Sequence, residues 1–296
     1  MTLSAVLALT GGDATDAWKR NLAWFRIFAL MHVAVRTFLT LGGLREDYQG
    51  WYVQTGQLLM IVCLGGLLPP IRTFAVRIAA LLLAAEIAVT LPITANHVFL
   101  EFICMGLLAL LDGSQDREGE LLLRALRWIT ILFFFYTGLQ KVLYGRYFDG
   151  QFLAYVTATE DRFALFFRHL MPAAEFARLR AEGQVDAVSR IGTGPYRVDS
   201  IVFLIVSNSV YLFEMLAPVL LIVRKTRAAA VVATIAFVFG IEAGAREVMF
   251  GAFMIGLLLL FLPGTWNKKV FPVYAAIYVY LIADALNLVP MFEYYL

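Results

Sequence analysis

Residues 48–71 read YQGWYVQTGQLLMIVCLGGLLPPI, a run of 24 positions without a charged residue. At a rise of about 1.5 Å per residue such a run reaches across the roughly 30 Å hydrocarbon core of a bilayer, and this decides the setting of the whole chain. Residues 248–267 give a second charge-free run of 20. Outward from these two, long apolar stretches at residues 21–44, 53–69, 74–91, 95–111, 121–144, 199–223, 228–246, 247–262 and 270–290 predict nine helices. Near Glu247 the pattern admits either two helices or a re-entrant turn. The composition agrees: 61% of the 296 residues are hydrophobic and 16% charged, against about 45–50% and 25% in a soluble domain, and mean hydropathy is +0.78. Nine crossings would take up roughly 180 residues, which leaves room for one long loop. The expected fold is all-α, a polytopic membrane helix bundle over residues 19–292, preceded by a short cytoplasmic segment, residues 1–18.

Basic residues near span ends gather on the cytoplasmic side, and here they alternate from one connection to the next. Lys19, Arg20, Arg72, Arg77, Arg117, Arg124, Arg127, Arg224, Lys225, Arg227, Lys268 and Lys269 fall at one set of ends, whereas the opposite short loops hold Arg45 and Arg246 alone. The asymmetry predicts a cytoplasmic N-terminus and an outward C-terminus. Residues 145–198 then lie outside, where length exempts them from the charge rule. Trp18, Trp24, Trp51, Trp128 and Trp266 fall near predicted span ends, as in an aromatic belt.

A net charge of +2 provides no strongly basic face, which sets nucleic-acid binding aside. Cys63 and Cys104 lie in apolar runs with no spaced Cys or His companion, so they read as small core residues rather than metal ligands or a disulfide framework. The first twelve residues lack a basic leader and run into Gly11, Gly12 and Asp13, so the first apolar helix is expected to direct insertion. Residues 145–198 are polar, contain Pro172 and a Gly-Thr-Gly-Pro run at 192–195, and predict one amphipathic helix near 172–180. They read as a cap, not a domain. No Gly-rich phosphate loop is present.

A charge near the bilayer centre costs about 2.5–3.5 kcal/mol on insertion scales, so ionisable residues within spans face the bundle interior and mark function. With the predicted directions, Arg36, Glu86, His97, Glu101, Lys141, Glu242, Arg246, Glu247 and Asp284 fall in the outward half and are expected to share one chamber. Arg26, His32 and Glu214 lie deeper. His32 and Arg36, His97 and Glu101, and Glu242 and Arg246 are each four apart, so each pair projects from one helical face, as an internal salt bridge or as part of a functional path. Lys141 either snorkels to the outer interface or is buried among Leu139, Val142 and Leu143, with Gly138 letting a neighbouring helix approach. Burial would favour the neutral amine, a usable base. Tyr211 and Glu214, one turn apart, read either as a buried hydrogen bond or as substrate contacts. The aromatic run 133–136 reads as lipid-facing or packing surface.

The segment Asn96-His97-Val98-Phe99-Leu100, followed by Gly106-Leu107-Leu108 and Asp112, resembles the Asn-His segment of the vitamin K-dependent gamma-carboxylases and their bacterial relatives, the HTTM-domain proteins. Thr137-Gly138-Leu139-Gln140-Lys141-Val142, then Tyr147-Phe148-Asp149-Gly150, is similar to that family's Gly-Leu-x-Lys-Leu segment with its downstream Trp-x-x-Gly. Phe250-Gly251-Ala252-Phe253 resembles its Ile-Gly-x-Phe stretch. The resemblance implies a nine-helix bundle in a bacterial plasma membrane, with Lys141 as the base that deprotonates a reduced quinone so that oxygen can attack it. The strong alkoxide that results then removes an unactivated proton. It makes His97 a hydrogen-bond partner near the quinone or the developing oxyanion. Departures accompany it: Tyr147 replaces the family's tryptophan, Ile241, Glu242 and Arg246 stand where the family has a histidine-bearing helix, and the sequence has no counterpart of the carboxylases' extracytoplasmic β-rich region.

These readings make Lys141 and His97 the candidate catalytic residues, and Asn96, Glu101, Arg36, Tyr211, Glu214, Glu242 and Arg246 the candidate substrate contacts. The substrate would be a lipid-soluble quinone or comparable hydrophobic molecule reaching the site from the lipid bilayer. Small bacterial relatives imply two alternatives on the same fold, an isoprenoid cyclase that stabilises carbocations with aromatic walls or a protein that matures peptide toxins. A transporter or scaffold ranks below these, because the chain shows no matching halves.

Overall fold

A computed structural model describes residues 17–43, 50–91, 96–111, 115–185, 196–262 and 264–289. The predicted N-terminal segment up to residue 16, Arg45, Asp112, the Gly-Thr-Gly-Pro run and the side chain of Asn96 lie outside the described residues. Among the described residues all regular structure is helical: α1 (Ala17–Gly43), α2 (Trp51–Gly65), α3 (Arg72–Thr90), α4 (Asn96–Leu110), α5 (Asp116–Tyr144), α6 (Gln151–Thr159), α7 (Asp161–Phe167), α8 (Ala173–Gly183), α9 (Ile201–Ile222), α10 (Arg227–Ala245), α11 (Val248–Leu259) and α12 (Trp266–Ala285), with a short 3-10 turn at Pro69–Ile71.

Every predicted apolar stretch is a helix, with ends shifted by a few residues. Five are long and apolar enough to cross a membrane: Trp18–Leu41, Pro69–Thr90, Asp116–Tyr144, Ile201–Ile222 and Arg227–Ala245. They make the chain a multi-pass, all-helical membrane protein by helix length and composition. Three others, α2, α4 and α11, are apolar but shorter. At Glu247 the chain breaks into two helices. Arg246 takes the left-handed conformation, φ 56 and ψ 32, after the last turn of α10, while its amide still donates to Glu242 O at 2.9 Å.

The described residues divide into two compact units. The first comprises the chain up to Ile129 and from Glu247 onward, the second Thr130–Arg246, and α5 runs from one into the other. In the first unit α1 is the central element, packed by α2, α4, α11 and α12. Its Phe25, Phe28, Ala29, Leu30, His32 and Val33 are sealed from solvent. A Cβ on Gly256 of α11 would come within 2.4 Å of the Phe28 ring, so the glycine lets that ring reach the α11 backbone.

In the second unit, segment 145–198 is more helical than its polar composition predicts. The expected amphipathic helix is there as α8, but α6 and α7 precede it. Leu153, Ala154, Val156, Ala158, Phe167, Met171 and Leu179 form a buried cluster with Val198 and Phe203. The turn entering α6 is fixed by two glycines in the left-handed region, Gly145 (φ 68) and Gly150 (φ 71), and a Cβ on Gly150 would press on Leu204 and Phe203 at 3.1–3.2 Å. Arg180 ties α8 to α6 by donating to Ala158 O at 3.0 Å, and also pairs with Asp161.

Arginines satisfy the carbonyls that helix C-termini leave open. Arg72, the first residue of α3, donates to Gly66 O and Leu67 O just past the end of α2, at 3.1 and 2.8 Å. Arg227, first in α10, does the same for Leu221 O and Ile222 O of α9 at 3.0 and 3.2 Å. Arg127 bonds Leu260 O beyond α11, Arg26 bonds Leu111 O beyond α4 and Arg77 bonds Ala109 O within its last turn. Part of the basic pattern from which an orientation is predicted thus also closes helix ends.

Candidate functional site

Among the described residues, each unit brings buried ionisable side chains from different helices together. In the first, α1 presents His32 and Arg36 from one face, α3 supplies Glu86, α4 Glu101 and α12 Tyr278. Arg36 Nη1 and Nη2 donate to the two oxygens of Glu86 at 2.8 Å each, and Nε donates to Glu101 Oε2 at 2.7 Å. His32 Nε2 stands 3.2 Å from Glu101 Oε1 and its Nδ1 2.7 Å from the Tyr278 hydroxyl. All five side chains are buried. The i, i+4 spacing of His32 and Arg36 therefore does not mark a mutually compensating pair; both turn to a carboxylate on another helix. His97 lies one turn before Glu101 on α4, half-buried, its ring 6.3 Å from that of Phe250.

The second cluster begins at Gly138 of α5. A Cβ there would lie 3.0 Å from Glu214 Cβ and from the Met215 amide nitrogen, so the missing side chain lets α9 come close, as its sequence context predicts. One turn later Lys141 Nζ donates to both oxygens of Glu214, at 2.8 and 2.7 Å. The pair is mostly buried, at 20% and 6% exposure. Lys141 is not a lone amine stripped of water: a carboxylate on another helix lies in direct contact with it. The Tyr147 ring stands 5.4 Å from Nζ, close enough for a cation–π contact. This tyrosine, just beyond the end of α5, has its phenol pushed upward in pKa by burial first and by the nearby Glu214 charge second. Ser207 holds the Tyr147 carbonyl at 2.7 Å.

Lys141, Tyr147 and Glu214 border a cavity of about 450 Å³, within the range of small-molecule sites. Phe152 and Leu153 of α6, Phe163, Phe166 and Phe167 of α7, Val206, Ser209, Val210 and Phe213 of α9, and Phe237, Gly240, Ile241, Gly244 and Ala245 of α10 complete the lining. The walls are mainly apolar and rich in aromatic rings, and among the described residues the charged groups on them are the Lys141–Glu214 pair. An apolar molecule buried here would meet one proton-carrying pair and little else that is polar.

The predicted site residues thus fall in both units. Arg36, Asn96, His97 and Glu101 belong to the first; Lys141, Tyr211, Glu214, Glu242 and Arg246 belong to the second. Arg36 and Glu101 meet, as do Lys141 and Glu214. Tyr211 does not bond Glu214: its hydroxyl donates to Asn208 Oδ1 at 2.9 Å and its ring packs edge-on against Phe148. Glu242 falls in the last turn of α10, between the cavity-lining Ile241 and Gly244, and Arg246 is the residue that follows the helix. The sequence reading missed Tyr278 and the phenylalanines of α6 and α7. The phenylalanines' spacing, Phe163, Phe166 and Phe167, is a helical period that a window set to membrane length overlooks. No protein-family model matches the chain, and no curated protein or solved structure is significantly similar to it.

Proposed function

We propose that the protein is a multi-pass membrane enzyme that performs acid–base chemistry on a lipid-soluble substrate held in the cavity of the second unit. The single observation that carries this reading is the Lys141–Glu214 pair on the wall of a 450 Å³ aromatic cavity. The pair puts an amine and a carboxyl group in direct contact, 2.7 Å apart, at one place on the cavity wall, and Lys141 serves as the base with Glu214 as its proton partner. Its partner on the substrate is a weakly acidic hydroxyl or carbon acid.

The resemblance of the Gly138-to-Lys141 segment to the gamma-carboxylase and HTTM family supports a reduced quinone as that substrate, with nine crossings, a cytoplasmic N-terminus, an outward C-terminus and a bacterial plasma membrane as the setting. His97 would assist as a hydrogen-bond donor. The phenylalanine-rich lining favours a second reading, an isoprenoid cyclase in which aromatic faces stabilise cationic intermediates. Mass spectrometry of lipids co-purifying with the protein separates the two: a bound quinone supports the first, a prenyl chain the second. A Lys141→Met variant that folds and keeps full turnover would remove Lys141 from either mechanism.

A further inference from the structure

Helix α9 exposes Val202, Ile205, Ser209, Leu212, Leu216 and Val219 along one stripe, and α10 exposes Val232, Ala236, Phe239, Gly240 and Ala243 along another. Both helices are long and apolar enough to cross a membrane, so these stripes face hydrocarbon. Two residues, Ser209 and Gly240, belong to the exposed stripes and also line the cavity. They are small, and neither presents a polar group to lipid: the Ser209 hydroxyl is returned to Ile205 O at 2.8 Å, and Gly240 has no side chain. A Cβ added at Gly240 would meet no atom within 4 Å. One turn further along the same seam the rings of Phe213 and Phe237 stack with centroids 4.4 Å apart. Phe213 follows Ser209 by four positions and Phe237 precedes Gly240 by three, so the stacked pair closes the seam beneath the gap the two small residues leave.

We infer that the cavity is reached sideways, from the hydrocarbon phase, through a portal in the α9–α10 seam framed by Ser209 and Gly240, with the Phe213–Phe237 stack as its sill. Glycine inside a helix costs about 0.5–1 kcal/mol relative to alanine. At Gly138 a close helix contact explains the glycine; at Gly240 neither a contact nor a positive φ does, and the open doorway supplies the reason. The occupant is an apolar molecule drawn from the bilayer, narrow enough to pass between two helices, and bulk at position 240 or 209 sets what passes.

The inference rests on the cavity being the substrate site, and two reagents separate its failure from the failure of that reading. The full-length protein in lipid nanodiscs is treated with the small apolar photolabel trifluoromethyl-iodophenyl-diazirine, which partitions into hydrocarbon, and labelled residues are mapped by mass spectrometry. A Phe166→Cys variant is treated in parallel with a charged, water-soluble methanethiosulfonate. Label on Phe163 and Phe166 that falls to background in Gly240→Trp and in Ser209→Phe, while lipid-facing Phe239 and Leu212 stay labelled, supports the portal. Unchanged cavity labelling in both plugged variants overturns it. Modification of Phe166→Cys from water without photolabel in the cavity also overturns it, but leaves the cavity reading standing. Access by neither reagent overturns both. Gly240→Ala, too small to disturb folding, should give an intermediate loss of cavity label.

Discussion

Arg36 on α1 grips Glu86 on α3 through both terminal nitrogens at 2.8 Å, and less than a tenth of either side chain is exposed. The same guanidinium reaches Glu101 on α4 through Nε, so one cation joins three helices. The planar fork matches a carboxylate on one edge and leaves a third donor for the second acid, a geometry a lysine cannot reproduce. Removing the partner of a buried charge costs about 3–5 kcal/mol, more than a well-packed apolar replacement returns. Arg36→Met should therefore sharply lower the unfolding temperature in detergent, and Arg36→Lys should recover only part of it. The triple variant Arg36→Met, Glu86→Leu, Glu101→Leu should be more stable than Arg36→Met alone. A triple variant less stable than the single one would show that the cluster contributes more than paired charge.

His32 ties the same cluster to α12: its ring nitrogens face Glu101 Oε1 on one side and the Tyr278 hydroxyl on the other. His32→Leu should then destabilise the protein by taking a hydrogen-bond partner from two buried oxygens, and adding Tyr278→Phe should restore part of the loss by removing one of the stranded groups. Thermal unfolding of the single and double variants checks this. Additive losses would mean that the imidazole acts by packing against Phe28 and Phe253.

For Lys141 and Glu214 the pair separates stability from chemistry. Lys141→Met alone strands a buried carboxylate and Glu214→Leu alone strands a buried amine, each an expected loss of several kcal/mol, on the order of 3–5. The double variant Lys141→Met, Glu214→Leu replaces both charges by apolar side chains in an already apolar wall. It should unfold near the temperature of the starting chain yet turn over nothing. A double variant that keeps activity would exclude the pair from the reaction.

Helix positions were legible because apolar runs stand out between polar ones, and Gly138 announced a close helix approach by its context. Helix lengths were not, since the charge-free run 48–71, read as one crossing, holds the 15-residue α2 and a 3-10 turn, broken where Gly65, Gly66, Pro69 and Pro70 fall. Charge partners were less legible. His32 and Arg36 share a face at i, i+4, but their counter-ions come from α3 and α4, separated from them by 50 to 69 residues. Sequence spacing sees only one helix at a time. Glu214 looked paired with Tyr211 for the same reason, whereas its partner is 73 residues away on α5. The cap over residues 145–198 hid its helices because they are short, seven to eleven residues, and draw their stability from the shared Leu153–Phe203 cluster rather than from a long apolar run.

The predicted orientation makes a direct test. Lys225 in the turn between α9 and α10 is exposed and belongs to the set predicted to be cytoplasmic, whereas exposed His169 follows α7 in the segment predicted to lie outside. Both native cysteines are buried. With a membrane-impermeant maleimide on intact cells, His169→Cys should be labelled at once and Lys225→Cys only after permeabilisation. The reverse pattern would invert the topology.

Two helical glycines should respond in opposite directions to the same added methyl. At Gly138 the new Cβ would meet the Glu214 Cβ and the Met215 backbone nitrogen at 3.0 Å, and backbone cannot swing aside as a side-chain tip can. Overpacking of that kind costs about 1–3 kcal/mol, which outweighs the roughly 0.5–1 kcal/mol that a helix gains when alanine replaces glycine. At Gly240 nothing lies within 4 Å, so only the gain remains. Gly138→Ala should therefore lower the unfolding temperature and weaken turnover by moving Glu214 off Lys141, and Gly240→Ala should leave the unfolding temperature unchanged or slightly raised. Equal effects at both sites would mean that α5 and α9 are not in the contact that positions the pair.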